Sequence, residues 1–232
     1  MPVILVTGFG SFPGAPVNPT VALLDRIERA RRPALADVRI ATHVFATRYA
    51  IVDRELPALI AREAPDAVVL FGVATRAKRL RLELIARNRA SVLFPDAGGA
   101  KPATAAIVHG GRSWLTGRFS SHRLLAAARS TGIHPALSRN AGAYLCNYAY
   151  WRALEAAARP NGPRIVAFVH IPLLRTNVRP RRAKPQRPPR AERPRSRRAE
   201  RVLTLARLAR ASEAMLIALR AMLRDTAVRA SR

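Results

Sequence analysis

Ile165-Val166-Ala167-Phe168-Val169-His170-Ile171 is an apolar run with a single ionisable side chain, followed at once by Pro172. A run that short and that apolar reads as a strand covered on both faces. Similar β-type runs occur at Val3–Phe9, Val38–Phe45, Ala67–Val73 and Leu80–Ile85. Between them lie stretches with helical periodicity near Thr20–Arg31, Ile51–Ala64, Ser120–Ser130, Asn147–Ala157 and Arg201–Thr226. Strands alternating with helices predict an α/β fold, a three-layer α/β/α sandwich around a largely parallel, mixed sheet. The punctuation agrees: Asn18-Pro19-Thr20 supplies a cap and a proline at a helix start, and Gly132 and Gly162 close helical segments.

The 232 residues, 49% of them hydrophobic, are enough for one substantial core. No apolar run approaches the roughly 18–20 residues that cross a bilayer. The opening Met1-Pro2-Val3-Ile4-Leu5-Val6 has no basic leader before a cleavable apolar segment, so a cytoplasmic location is expected. The net charge of +27 is concentrated toward the C-terminus, where residues 175–232 hold 18 basic and 4 acidic side chains. From Arg175 to Arg201 prolines and 12 basic residues leave almost nothing to bury. The expected organisation is therefore a core over 1–174, a disordered Arg/Pro-rich insertion over 175–200, and an amphipathic helix over 201–226 docking back on the core. Residues 175–201 would attract nucleic acid non-specifically, since no aromatic side chain is present there to stack bases.

Four places carry chemistry. The loop Thr7-Gly8-Phe9-Gly10-Ser11-Phe12-Pro13-Gly14 departs from a dinucleotide fingerprint, because its third glycine comes one residue late and no acid ends the second strand. Its glycines let the chain turn sharply so that Phe9 and Phe12 face either a cleft or the core. Cys146, the lone cysteine, is either a small buried apolar group or a reactive thiol; its position at the head of a helical segment favours the thiolate. His170 ends an apolar strand, where ligands of open α/β sheets gather, although a structural histidine fits there too. Glu83 lies in Leu80-Arg81-Leu82-Glu83-Leu84-Ile85, either neutralising nearby arginines or orienting a catalytic histidine.

Taken in order, these segments resemble the pyroglutamyl peptidase type I (pyrrolidone carboxyl peptidase) family. Leu5–Gly14 with Asn18-Pro19 is similar to its T-G-F-x-P-F-G-G…N-P opening. Gly72, followed eleven residues on by Glu83 with Ala86 and Asn88, is similar to its G-x-A…E-R-x-A-x-N. Pro95-Asp96 with Gly98 is similar to I-P-D-x-x-G, Asn140–Asn147 to the nucleophile segment and His170-Ile171-Pro172 to the histidine segment. The likeness spans roughly residues 3–174.

The resemblance implies Cys146 as nucleophile, His170 as general base and Glu83 as the group supporting the histidine. It implies a binding site for a small lactam ring drawn from Phe9, Phe12, Asn18, Gly72, Tyr144 and Leu145. The implied substrate is a peptide with an N-terminal pyroglutamate, cleaved through a thioester with no metal and no cofactor. Homo-oligomers are also implied. The chain departs from the family pattern at Leu84, where Arg is usual, at Ser91-Val92-Leu93 in place of D-A-R, and at Arg76-Ala77 in place of G-R. Two other readings stand beside this one: a degenerate, weakly active member, and an RNA- or DNA-associated protein acting through its basic segment.

Overall fold

The computed structural model describes residues 1–30, 32–174 and 203–230. The expected insertion over 175–200, with its attraction for nucleic acid, lies outside the described residues. The strands are β1 (Val3–Phe9), β2 (Arg39–Phe45), β3 (Ala67–Val73), β4 (Arg81–Glu83), β5 (Ile85–Arg87), β6 (Trp114–Thr116), β7 (Ala136–Ser138) and β8 (Ile165–Ile171). The α-helices are α1 (Pro19–Arg29), α2 (Tyr49–Glu63), α3 (Ser121–Arg129), α4 (Leu145–Ala157) and α5 (Leu205–Ala230).

Six strands form one sheet in the order β2-β1-β3-β8-β4-β7. The first four run parallel, β4 is antiparallel to β8, and β7 is parallel to β4. Alternation along each strand divides the core in two. On one face Ile165, Ala167, Val169 and Ile171 of β8 join Ile4, Val6, Val69 and Phe71 beneath α1, α3 and α5. On the other, Val166 and Phe168 join Leu5, Val68 and Leu70 beneath α2 and α4. The even-numbered positions of β8 therefore face α4, and His170 is one of them. This is the three-layer sandwich that the alternating strands and helices predict.

The helix ends explain themselves locally in some cases and remotely in others. At α1 the Asn18 Oδ1 accepts the Thr20 N–H at 3.0 Å, with Pro19 in the first turn where no N–H is needed. Helix α2 starts at Tyr49, upstream of the Ile51 expected from periodicity, because its first N–H is accepted by Asp96 Oδ2 at 3.0 Å. Asp96 Oδ1 also accepts the N–H groups of Gly98 and Ala100, at 2.8 and 3.0 Å. Helix α5 packs against α1 and α3 and buries Leu208, Met215, Leu216, Leu219 and Leu223. Each such leucine contributes about 1.5–3 kcal/mol. Ion pairs from Arg220 to Asp37 (2.6 Å) and from Arg32 to Glu213 (2.7 Å) fix its register.

The run Leu80–Ile85, read from sequence as one strand, is two. After Glu83 the chain leaves the main sheet: Leu84 donates its N–H to Ser138 O at 2.7 Å, and its carbonyl accepts from Gly117 at 2.8 Å. Ile85–Arg87 then pairs with Trp114–Thr116 in a small antiparallel sheet. Apolar periodicity reports burial and not the identity of the partner strand, and both halves are buried. Among the described residues no helix is long and apolar enough to cross a membrane.

Candidate active site

His170 lies in register with Gly72 on its parallel neighbour and with Arg81 on its antiparallel one. Glu83, fully buried, sits two residues beyond Arg81 on the same face of β4 and brings Oε1 to 2.8 Å from His170 Nδ1. Its main-chain carbonyl accepts the Tyr150 hydroxyl at 2.9 Å, which ties β4 to α4. Cys146 occupies the first turn of α4, whose N-cap Tyr144 offers no side-chain cap, so the N–H groups of that turn are free of a capping partner. Its thiol is half-buried and lines the same cleft as His170, near enough for the sulfur to influence the ring. With Nδ1 taken by Glu83, Nε2 is the ring nitrogen left for chemistry. A Cβ built on Gly72 would lie 2.7 Å from Cys146 Sγ and 2.8 Å from Phe168 Cζ. Glycine is thus the residue that lets the thiol settle onto the sheet.

The electrostatics follow from this packing. Burial pulls the His170 ring down, but the Cys146 sulfur and the Glu83 carboxylate outweigh it and raise the ring from 6.5 to about 9. Burial pushes Glu83 up, yet the hydrogen bond from His170 and the Ser138 hydroxyl bring its carboxyl below the ordinary range. Glu83 Oε2 is buried without a close hydrogen bond, so Ser138 acts on the carboxylate from longer range. The result is a ring that favours its cationic form, anchored through Nδ1 by the Glu83 carboxylate and close to the Cys146 sulfur.

Beside the thiol opens a cleft of about 460 Å³. Phe9, Phe12, Asn18, Tyr144 and Leu145 border it, whereas Gly72 lies beneath the sulfur. Phe12 and Tyr144 face each other with ring centroids 6.4 Å apart. Tyr144 is steadied by its hydroxyl, which donates to Pro95 O at 2.9 Å, and by an edge contact with Tyr49. Phe9 is buried against Phe45 and forms the floor. Asn18 is occupied within the protein: besides capping α1 it donates to Gly10 O at 2.9 Å, as Thr47 does at 3.1 Å. It shapes the glycine loop, and through the loop the position of Phe12.

Asn147, inside the segment quoted for the nucleophile but given no role there, is fully buried. Its Oδ1 accepts Arg87 N at 2.8 Å, and its Nδ2 donates to Arg87 O and Arg89 O at 2.8 and 2.9 Å. The residue next to the thiol therefore clamps the head of α4 to β5. Asp96, which the sequence offers only as part of a motif, holds the loop on which Tyr144 leans. Neither partnership has a sequence signal, because each spans some tens of residues.

A family profile described as pyroglutamyl peptidase matches residues 2–189. The pyrrolidone-carboxylate peptidase of Clavibacter michiganensis subsp. michiganensis is 31% identical over 172 residues, 74% of this chain and 79% of that protein. The protein of the same name from Pyrococcus furiosus is 26% identical over 171 residues, covering 74% and 81%. Among solved structures, a mutant pyrrolidone carboxyl peptidase from Pyrococcus furiosus superimposes with a TM-score of 0.78 at 23% identity, covering 95% of this chain and 99% of that one. The pyrrolidone carboxyl peptidase of Thermococcus litoralis gives 0.78 at 21%, covering 97% and 96%. At these identities the structural likeness speaks for the fold alone.

Proposed function

The chain belongs to the pyroglutamyl peptidase family, and on that footing we propose that it removes an N-terminal pyroglutamate from peptides, with Cys146 as nucleophile, His170 as general acid and base, and Glu83 as the group that orients the ring. The observation that carries this reading is His170 held at 2.8 Å by Glu83 on the cleft that Cys146 also lines.

The chemistry runs in two halves. The Cys146 thiolate attacks the pyroglutamyl carbonyl carbon, and the carbonyl π electrons move onto oxygen. The N–H groups in the first turn of α4 and the positive end of its dipole stabilise that oxyanion. As the tetrahedral species collapses, the bond to the leaving nitrogen breaks and His170 delivers its proton to the amine. In the second half His170 takes a proton from water, the hydroxide attacks the thioester, and the sulfur leaves as thiolate. Pyroglutamate is flat, cyclic and uncharged, so it suits the slot between Phe12, Tyr144 and Leu145 over the floor of Phe9. An ordinary ammonium N-terminus would lose its hydration there without a counter-charge.

The test is turnover of a chromogenic pyroglutamyl amide by the wild type and by Cys146→Ala. The wild type should cleave it and lose activity to iodoacetamide, while the alanine variant stays folded and inactive. A fully active Cys146→Ala would remove the nucleophile from the scheme, and no cleavage by the folded wild type would remove the scheme itself.

A further inference from the structure

The loop that joins β3 to β4, together with the start of β4, is strongly cationic: Arg76, Lys78, Arg79 and Arg81 fall within six residues, and no acid occurs between Asp66 and Glu83. None of the four has a carboxylate partner within ion-pair distance among the described residues, although most acidic side chains elsewhere in the fold are paired with arginine. Two of them, the exposed Arg76 and the partly buried Arg81, line the cleft that holds Cys146 and His170, and no carboxylate lines it with them.

Their side of the cleft can be identified. The proton delivered to the leaving amine comes from His170, so the residue after pyroglutamate must lie on the His170 side of the thiol, away from Phe12 and Tyr144. Arg81 is directly opposite His170 in the β4–β8 register and shares its face. Arg76 reaches the same space from the loop that follows β3. Building on the reading of the site as a pyroglutamyl peptidase, we propose that Arg76 and Arg81 form a carboxylate subsite on the leaving-group side, so that the preferred substrates are pyroglutamyl peptides with a carboxylate on the residue that follows. That carboxylate can be an acidic side chain or the free end of a pyroglutamyl amino acid.

Two isosteric pairs separate the sources: pyroglutamyl-aspartyl amide against pyroglutamyl-asparaginyl amide, and pyroglutamyl-alanine against its amide. At about 0.01 M salt, where charges act over about 30 Å, the carboxylate member of at least one pair should show a kcat/KM higher by on the order of fivefold. At about 1 M salt, where the range shrinks to about 3 Å, the advantage should vanish. An advantage in the first pair assigns the carboxylate to the side chain, and one in the second assigns it to the chain end. In the double variant R76Q/R81Q the ratio should fall to about one at every salt concentration. The wild-type salt dependence stands on its own even if that variant folds poorly. Parity in both pairs at low salt overturns the subsite, as does a ratio that the double variant leaves unchanged. Hydrolysis of the asparaginyl amide reports on the peptidase reading itself, so the two ideas fail separately.

Discussion

Substituting Gly72 by alanine tests how the nucleophile is seated. The added Cβ would lie 2.7 Å from Cys146 Sγ and 2.8 Å from Phe168 Cζ, against an ordinary contact of about 3.5–4.0 Å. Phe168 cannot retreat, since its ring is held at 5.5 Å from Tyr150 and 4.8 Å from His170. The sulfur, on a half-buried side chain, is the freer of the two and would move by roughly 1 Å from its seat on the cleft beside His170. A displacement of that size at a reacting atom costs on the order of a hundredfold in rate, and overpacking the site costs about 1–3 kcal/mol of stability. Steady-state kcat/KM on a pyroglutamyl amide, read beside urea denaturation, should show both losses. The rate loss should exceed anything attributable to unfolded protein. A Gly72→Ala enzyme with kcat/KM within about twofold of the wild type would show that Cys146 does not rest on β3, and the picture of the thiol above would be wrong.

Glu83→Gln should lower kcat by on the order of tenfold, because an amide stabilises an imidazolium less well than a carboxylate. Folding raises His170 from 6.5 to about 9, so the stability its charged ring contributes is complete below pH 6.5 and is lost as the pH climbs through about 9. Urea midpoints should fall across that window in the wild type, and the alkaline limb of kcat/KM should move to lower pH in Glu83→Gln; an unmoved limb would sever Glu83 from the ring. Asp96→Ala leaves the N–H groups of Tyr49, Gly98 and Ala100 without their acceptor and should cost about 2–3 kcal/mol in urea denaturation, with a rise in KM as the support for Tyr144 loosens. A neutral Asp96→Ala would mean that the loop is held elsewhere.

The limits of β1, β3 and β8 could be read from the chain because each is a continuous buried run, and β2 misses by a single residue at its start. The three-residue strands β6 and β7 could not, since they are mostly exposed or half-buried and too short for any period to register. The start of α2 escaped for a different reason: its cap, Asp96, arrives from 47 residues away. At the site, local rules draw attention to Cys146 at a helix head and to His170 at a strand end, and both lie on the cleft. Glu83 stood out as a lone carboxylate in an apolar and basic strand, but the choice between charge partner and histidine support needed β4 lying beside β8. Arg76 was visible as a departure from a motif and Arg81 as a basic neighbour of Glu83, but their relation to the cleft needed the fold.

Helix α5 has a consequence during synthesis. Every residue that borders the cleft has been made once His170 emerges, yet the opposite face of the sheet is covered only by α1 and α3. The apolar sides of α1 and α3 wait for Leu208, Met215, Leu216, Leu219 and Leu223 to complete that half of the core. A ribosome-bound chain at that stage can hold its chemical groups in order while exposing a broad apolar surface, the kind of species that chaperones bind and that aggregates when they do not. The residues of the cleft are all made before α5, but the apolar half of the core closes only when that helix docks.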